Sequence, residues 1–133
     1  MTWALIAVNI LVFMAYYPLG TEESVRLIYH EWGMVPARLT LGEGFMTPMT
    51  AMFVHGGWLH LAGNMLFLWV FGDNVEDALG HFRFLIFYLL CAVAGALLHG
   101  LLLPESQAPL IGASGAIAGI VAAYLILHPR VKI

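Results

Sequence analysis

Apolar residues in this chain fall into four long blocks separated by polar segments. Thr2 to Tyr17 is apolar except for Asn9 and stops at Pro18-Leu19-Gly20. Apolar character returns after Thr47 and holds to Phe71, and Gly72, Asp73, Glu76 and Asp77 then mark an aqueous face. Phe82 to Leu103 is rich in Leu, Phe and Ala, and ends at the short polar loop 104–109. The last block, Leu110 to His128, opens on a cluster of small residues around Ser114 and carries no charge. Runs of this length and polarity predict helices over about 2–18, 57–72, 82–103 and 114–128. Between the first two blocks, residues 21–47 carry Glu22, Glu23, Arg26, Glu31, Arg38 and Glu43, interrupted by Trp32, Gly33 and Pro36. That segment is too polar to face lipid, so it is expected as a structured loop outside the bilayer, with Tyr29 and Trp32 at the headgroup layer.

Composition turns the helix pattern into a class. Of 133 residues, 62% are hydrophobic and 10% charged, against about 25% charged in a soluble domain. The expected fold is all-α, a polytopic transmembrane helix bundle in a single domain over 1–133. A net charge of -3 spread over connecting segments gives no footing for a nucleic-acid partner. Cys91 is the lone cysteine and sits inside an apolar run. It has no disulfide partner, and packing is its expected role. Four spans put both termini on one side. The inner segments carry Arg83, Arg130 and Lys132 and the outer ones Arg26 and Arg38, so the short inner segments are expected in the cytoplasm of a cell (inner) membrane.

The fourth block is the reason to expect a site. From Ser114 to His128 a helix is about 22 Å long, shorter than a hydrocarbon core of about 30 Å. Its first residue then lies below the membrane surface, where irregular backbone survives only when buried in protein or lining a watery cavity. His60 and Asn64, four apart on the second span, share one helix face. Ionisable and polar groups inside a span tend to mark sites. The structural alternatives are a small serine for close helix packing and a buried polar pair holding helices together. Gly115 and Gly119 form a small-xxx-small pair that admits another backbone, and Asn9 is expected to hydrogen-bond between helices.

Gly112-Ala113-Ser114-Gly115 followed by Gly119, with His60 and Asn64 on an earlier span, resembles the rhomboid family of intramembrane serine proteases. Trp32-Gly33-Met34-Val35-Pro36-Ala37-Arg38 in the first loop and Gly72, Glu76 and Gly80 after the second span are similar to that family too. The resemblance covers nearly the whole chain. It implies a six-span core of which four spans are present, and hydrolysis of peptide bonds in transmembrane protein substrates within the lipid bilayer. Ser114 matches the nucleophile. His60 and Asn64, with the Ser114 backbone N–H, match the donors that stabilise an oxyanion; His55, Gly112 and Gly115 match supporting positions. No cofactor or metal is implied. The family's general base is a histidine on a sixth span, so the base is expected beyond Ile133, and residues 1–133 alone are expected to be inactive.

Other chemistries fit less well. His99, near the outer end of the third span, is the spare histidine on the Ser114 side, and Lys132 lies at the wrong end of the Ser114 helix for a Ser-Lys pair. Asp73 and Asp77 share one helix end at the aqueous boundary, as a solvated face does. The His-Glu-X-X-His pattern of a metalloprotease is absent from the sequence, and a zinc site from His55, His60 and His99 lacks supporting carboxylates. A non-catalytic rhomboid-like binder of transmembrane segments is the alternative function.

Overall fold

A computed structural model describes residues 1–132; Ile133, the last residue of the expected domain, lies outside the described residues. Seven α-helices account for most of the chain: α1 Thr2–Tyr16, α2 Glu22–Trp32, α3 Pro36–Thr40, α4 Thr47–Thr50, α5 Trp58–Leu79, α6 His81–Leu102 and α7 Ser114–Leu127. A 3-10 turn, Ala51–Phe53, continues α4. Among the described residues the only extended pairing is an isolated antiparallel bridge between Met34 and Leu110. The all-helical architecture expected from the sequence is what forms.

The helix ends follow from local chemistry. The Thr21 side chain accepts the Ser24 N–H at 3.1 Å and caps α2, whose first turn carries Glu22 and Glu23 where the helix dipole favours anions. Pro36 occupies the first position of α3, where its missing N–H costs nothing. Gly80 separates α5 from α6 with φ at 85°, a backbone state that glycine adopts without penalty.

By length and composition, one described helix, His81–Leu102, is long and apolar enough to cross a bilayer. Thr2–Tyr16 and Ser114–Leu127 are apolar but shorter. α5 runs further than its apolar block predicts, to Leu79 and not residue 72. The reason is packing on one side of that last part: Val75 is fully buried and Glu76 is turned inward, away from the aqueous face expected for it. Glu76 accepts from the Thr2 N–H at 2.7 Å and the Thr2 hydroxyl at 2.6 Å, and also meets the Met1 amine and the His81 ring. The start of α1 is thereby moored to the end of α5.

The core lies where α7 packs between α5 and α6 and where α1 lies on α5. Phe13, Leu68, Val75, Phe84, Tyr88 and Ile120 are fully buried there. Small residues set the α6–α7 distance: a Cβ on Gly95 would stand 3.3 Å from the Gly115 Cα, and one on Gly119 would overlap Cys91. The packing role expected for Cys91 and Gly119 is therefore one contact seen from two sides. The Asn9 amide donates to Leu5 in its own helix at 2.8 Å, and its side chain also neighbours the buried Tyr88 hydroxyl of α6.

Candidate active site

Three of the four residues ahead of α7 are held from outside their own segment. Leu110 and Met34 exchange backbone hydrogen bonds at 2.8 and 2.9 Å, the Gly112 N–H donates to the Ala51 carbonyl at 2.9 Å, and the Ala113 N–H donates to Nε2 of His55 at 3.3 Å. Non-helical backbone inside a bundle needs such partners for every buried polar group. The helix that follows begins at Ser114 with Ala113 as its N-cap, and no side chain caps it. Its first N–H groups consequently have no partner within the helix and present the positive end of the dipole beside the Ser114 side chain.

The polar pair on α5 comes to the same turn. Gly112 has φ at 107°, and a Cβ built on it would stand 2.8 Å from both Cε1 and Nε2 of His60 and 3.4 Å from Nδ2 of Asn64. The ring edge of His60 and the amide of Asn64 thus abut the backbone two residues before Ser114. Only glycine fits there, for want of space as well as for its φ. Nδ2 of Asn64 is buried and lacks a protein partner. It is a donor waiting for an acceptor.

Hydrogen bonds fix which face of each imidazole donates. The Gly56 N–H donates to Nδ1 of His60 at 3.0 Å, which leaves the proton on Nε2, the atom facing Gly112. In His55 the order is reversed: Nε2 accepts from Ala113, so the proton is on Nδ1, which is buried without a hydrogen-bond partner. Burial first, and the neighbouring His60 second, push the His55 pKa down to about 4, so its ring is neutral at pH 7. The two rings lie edge to face with centroids 5.2 Å apart.

Behind Ser114 is a cavity of about 160 Å³ whose lining includes Pro48, Met52, His99, Gly112, Ser114 and Gly115. His99 therefore shares a cavity wall with Ser114, whereas His60 and Asn64 approach from the α5 side. Gly115 gives the α6 backbone room, a Cβ there standing 3.6 Å from the Cys91 carbonyl. Among the described residues no cluster of three metal-ligating side chains occurs. Two contributors carry no motif in the sequence: Gly56 and Ala51 act through backbone groups, whereas Met34, which pairs with Leu110, lies inside the Trp32–Arg38 stretch.

Three relatives and one family model bear on this arrangement. Over 74 residues, 56% of this chain and 26% of the relative, the sequence is 40% identical to Rhomboid-like protein 11, chloroplastic, of Arabidopsis thaliana. It is 32% identical to the Rhomboid protease AarA of Providencia stuartii, over 100% of this chain and 52% of that protein. It is also 33% identical, over 59% of this chain and 5% of the relative, to Inactive rhomboid protein 1 of Drosophila melanogaster. The chain thus spans about half or less of each relative's length. The Rhomboid domain model matches residues 43–133, from the end of the first loop through α5, α6 and α7. With well over half of its length accounted for in this way, the chain belongs to the rhomboid family.

Proposed function

We propose that these residues form the nucleophile and oxyanion-binding part of an intramembrane serine endopeptidase that cuts transmembrane segments of membrane-protein substrates. The observation that carries the reading is the convergence of His60 Nε2 and the unpartnered Asn64 Nδ2 on Gly112, at the uncapped start of the helix that Ser114 opens. A protein that only binds helices has no need of donors converging on the glycine two residues before a serine. A tetrahedral intermediate does.

In this mechanism the Ser114 Oγ attacks the scissile carbonyl and its proton passes to a general base. The carbonyl oxygen becomes an anion and takes hydrogen bonds from His60 Nε2–H, Asn64 Nδ2–H and the Ser114 N–H. Donors held in place before reaction are worth about 3 kcal/mol each in such a site. Collapse expels the amine with a proton returned by the base and leaves an acyl-Ser114, which water then hydrolyses. His55 and Gly112 hold the turn, and Gly115 admits α6 close beside it. The base is a histidine beyond Ile133 on a further span. His99, on the wall of the cavity behind Ser114, is the alternative base within the chain. Under this proposal α1, α5, α6 and α7 are four spans of a six-span core in a cell (inner) membrane, with the α1 start and the α7 end cytoplasmic.

The test is covalent labelling. A fluorophosphonate probe is expected to label the full-length protein at Ser114, and Ser114→Ala is expected to abolish both the label and cleavage of a single-span reporter. Residues 1–133 expressed alone should stay unlabelled. Equal labelling of full-length protein and Ser114→Ala removes this serine from the mechanism and leaves the non-catalytic binder as the reading.

A further inference from the structure

The hydroxyl of Tyr16, at the end of α1, does for His55 what a neighbouring strand does for a strand residue. It donates to the His55 carbonyl at 2.6 Å and accepts the His55 N–H at 2.9 Å. His55 lies between the 3-10 turn and α5, where no helix supplies partners to its backbone, and its side chain is fully buried. Both of its main-chain groups thus depend on one side chain from another helix.

Two routes run from that residue to the serine. Along the side chain, His55 Nε2 accepts the Ala113 N–H, one residue before Ser114. Along the chain, the next residue, Gly56, supplies the N–H that keeps the His60 proton on Nε2. The Tyr16 ring is itself fixed, meeting Phe13 edge to face at 5.7 Å and Tyr29 at 6.4 Å. Phe13 in turn stacks on Tyr17 at 4.5 Å and meets Trp58, the first residue of α5, at 5.0 Å.

We infer that Tyr16 is a positioning residue: through the His55 backbone its hydroxyl sets both the turn that presents Ser114 and the tautomer of His60. The inference rests on the protease reading for its effect on rate, but its structural half stands apart from that reading. Rotation of the 54–57 segment after loss of the hydroxyl frees the Gly56 N–H from His60, and the imidazole then exchanges tautomers as a free one does.

The deciding variant is Tyr16→Phe in the full-length protein, which removes one oxygen and keeps the ring, with Tyr29→Phe as the control. Two readouts are taken: the histidine ring signals in a 15N spectrum, and kcat and KM for a single-span reporter together with the rate of fluorophosphonate labelling. Expected are averaged-tautomer signals for His55 and His60, kcat and labelling slowed at least tenfold, KM within twofold, and unchanged values for Tyr29→Phe. Unchanged histidine signals overturn the inference, and so do altered signals with wild-type kcat and labelling. A general loss of fold, with Tm lowered and KM raised in step, also overturns it, because a packing residue behaves so. Should the wild-type protein neither label nor cleave, the protease reading fails, and the histidine signals alone decide whether the tyrosine holds the segment.

Discussion

Gly56 donates its backbone N–H to Nδ1 of His60 over 3.0 Å, and so decides that the other ring nitrogen carries the proton. Neutral imidazole with the proton on Nε2 is a donor beside Gly112 without carrying a charge into the bundle. His60→Ala in the full-length protein is expected to lower kcat roughly 100- to 1000-fold with little change in KM, as loss of one oxyanion donor does. A steady-state assay with a single-span reporter checks it; a rise in KM alone assigns His60 to substrate binding.

Gly112 is the tightest point of the site. Its φ of 107° is foreign to other residues, and an added methyl meets the His60 ring at 2.8 Å. Gly112→Ala is expected to cost about 1–3 kcal/mol in stability and to abolish labelling of Ser114. Thermal unfolding in detergent beside probe labelling reads both. Full labelling of this variant argues against His60 standing where the oxyanion forms.

The His55 ring gives the site a pH signature. Its folded pKa is about 4, below the ordinary value of about 6.5, so between these values the unfolded chain takes up more protons than the folded one. The stability it contributes is complete above about pH 6.5, declines as pH falls through the window, and is gone below about pH 4. Tm measured from pH 7 to pH 4 should fall in the wild type and fall less steeply in His55→Gln. Parallel slopes remove His55 as the source.

Close packing of α6 on α7 predicts a coupled pair. A methyl at Gly119 overlaps the Cys91 sulfur and lies 2.8 Å from its Cβ, so Gly119→Ala is expected to destabilise by about 1–3 kcal/mol, the cost of overpacking. Cys91→Ala removes the sulfur but not the Cβ, and is expected to recover part of that loss in the double variant. A double-mutant cycle on thermal unfolding measures the coupling; additive effects exclude the contact.

Much of this architecture can be read from residue pattern. Four apolar blocks locate α1, α5, α6 and α7 within a few residues, because burial and lipid exposure both demand apolar side chains. The spacing of His60 and Asn64 puts them on one face, and the small residues around Ser114 flag a tight approach. The continuation of α5 to Leu79 is hidden because Asp73, Asn74 and Asp77 look like a loop, whereas Glu76 among them is buried against Thr2. Pattern is blind as well to bonds between main chains far apart in sequence. Nothing in Gly56 or Ala51 announces a partner, since a backbone N–H or carbonyl is common to nearly every residue, and the Tyr16 hydroxyl meets the His55 main chain only through tertiary structure.

The rung between Met34 and Leu110 has a bearing on biosynthesis. Every clamp on the approach to Ser114 comes from residues made earlier: Met34, Ala51 and His55 are all in place before Leu110 leaves the ribosome. Ser114 thus emerges only after every residue that holds its approach has been synthesised, so the turn before α7 closes onto partners already made and not onto segments still to come.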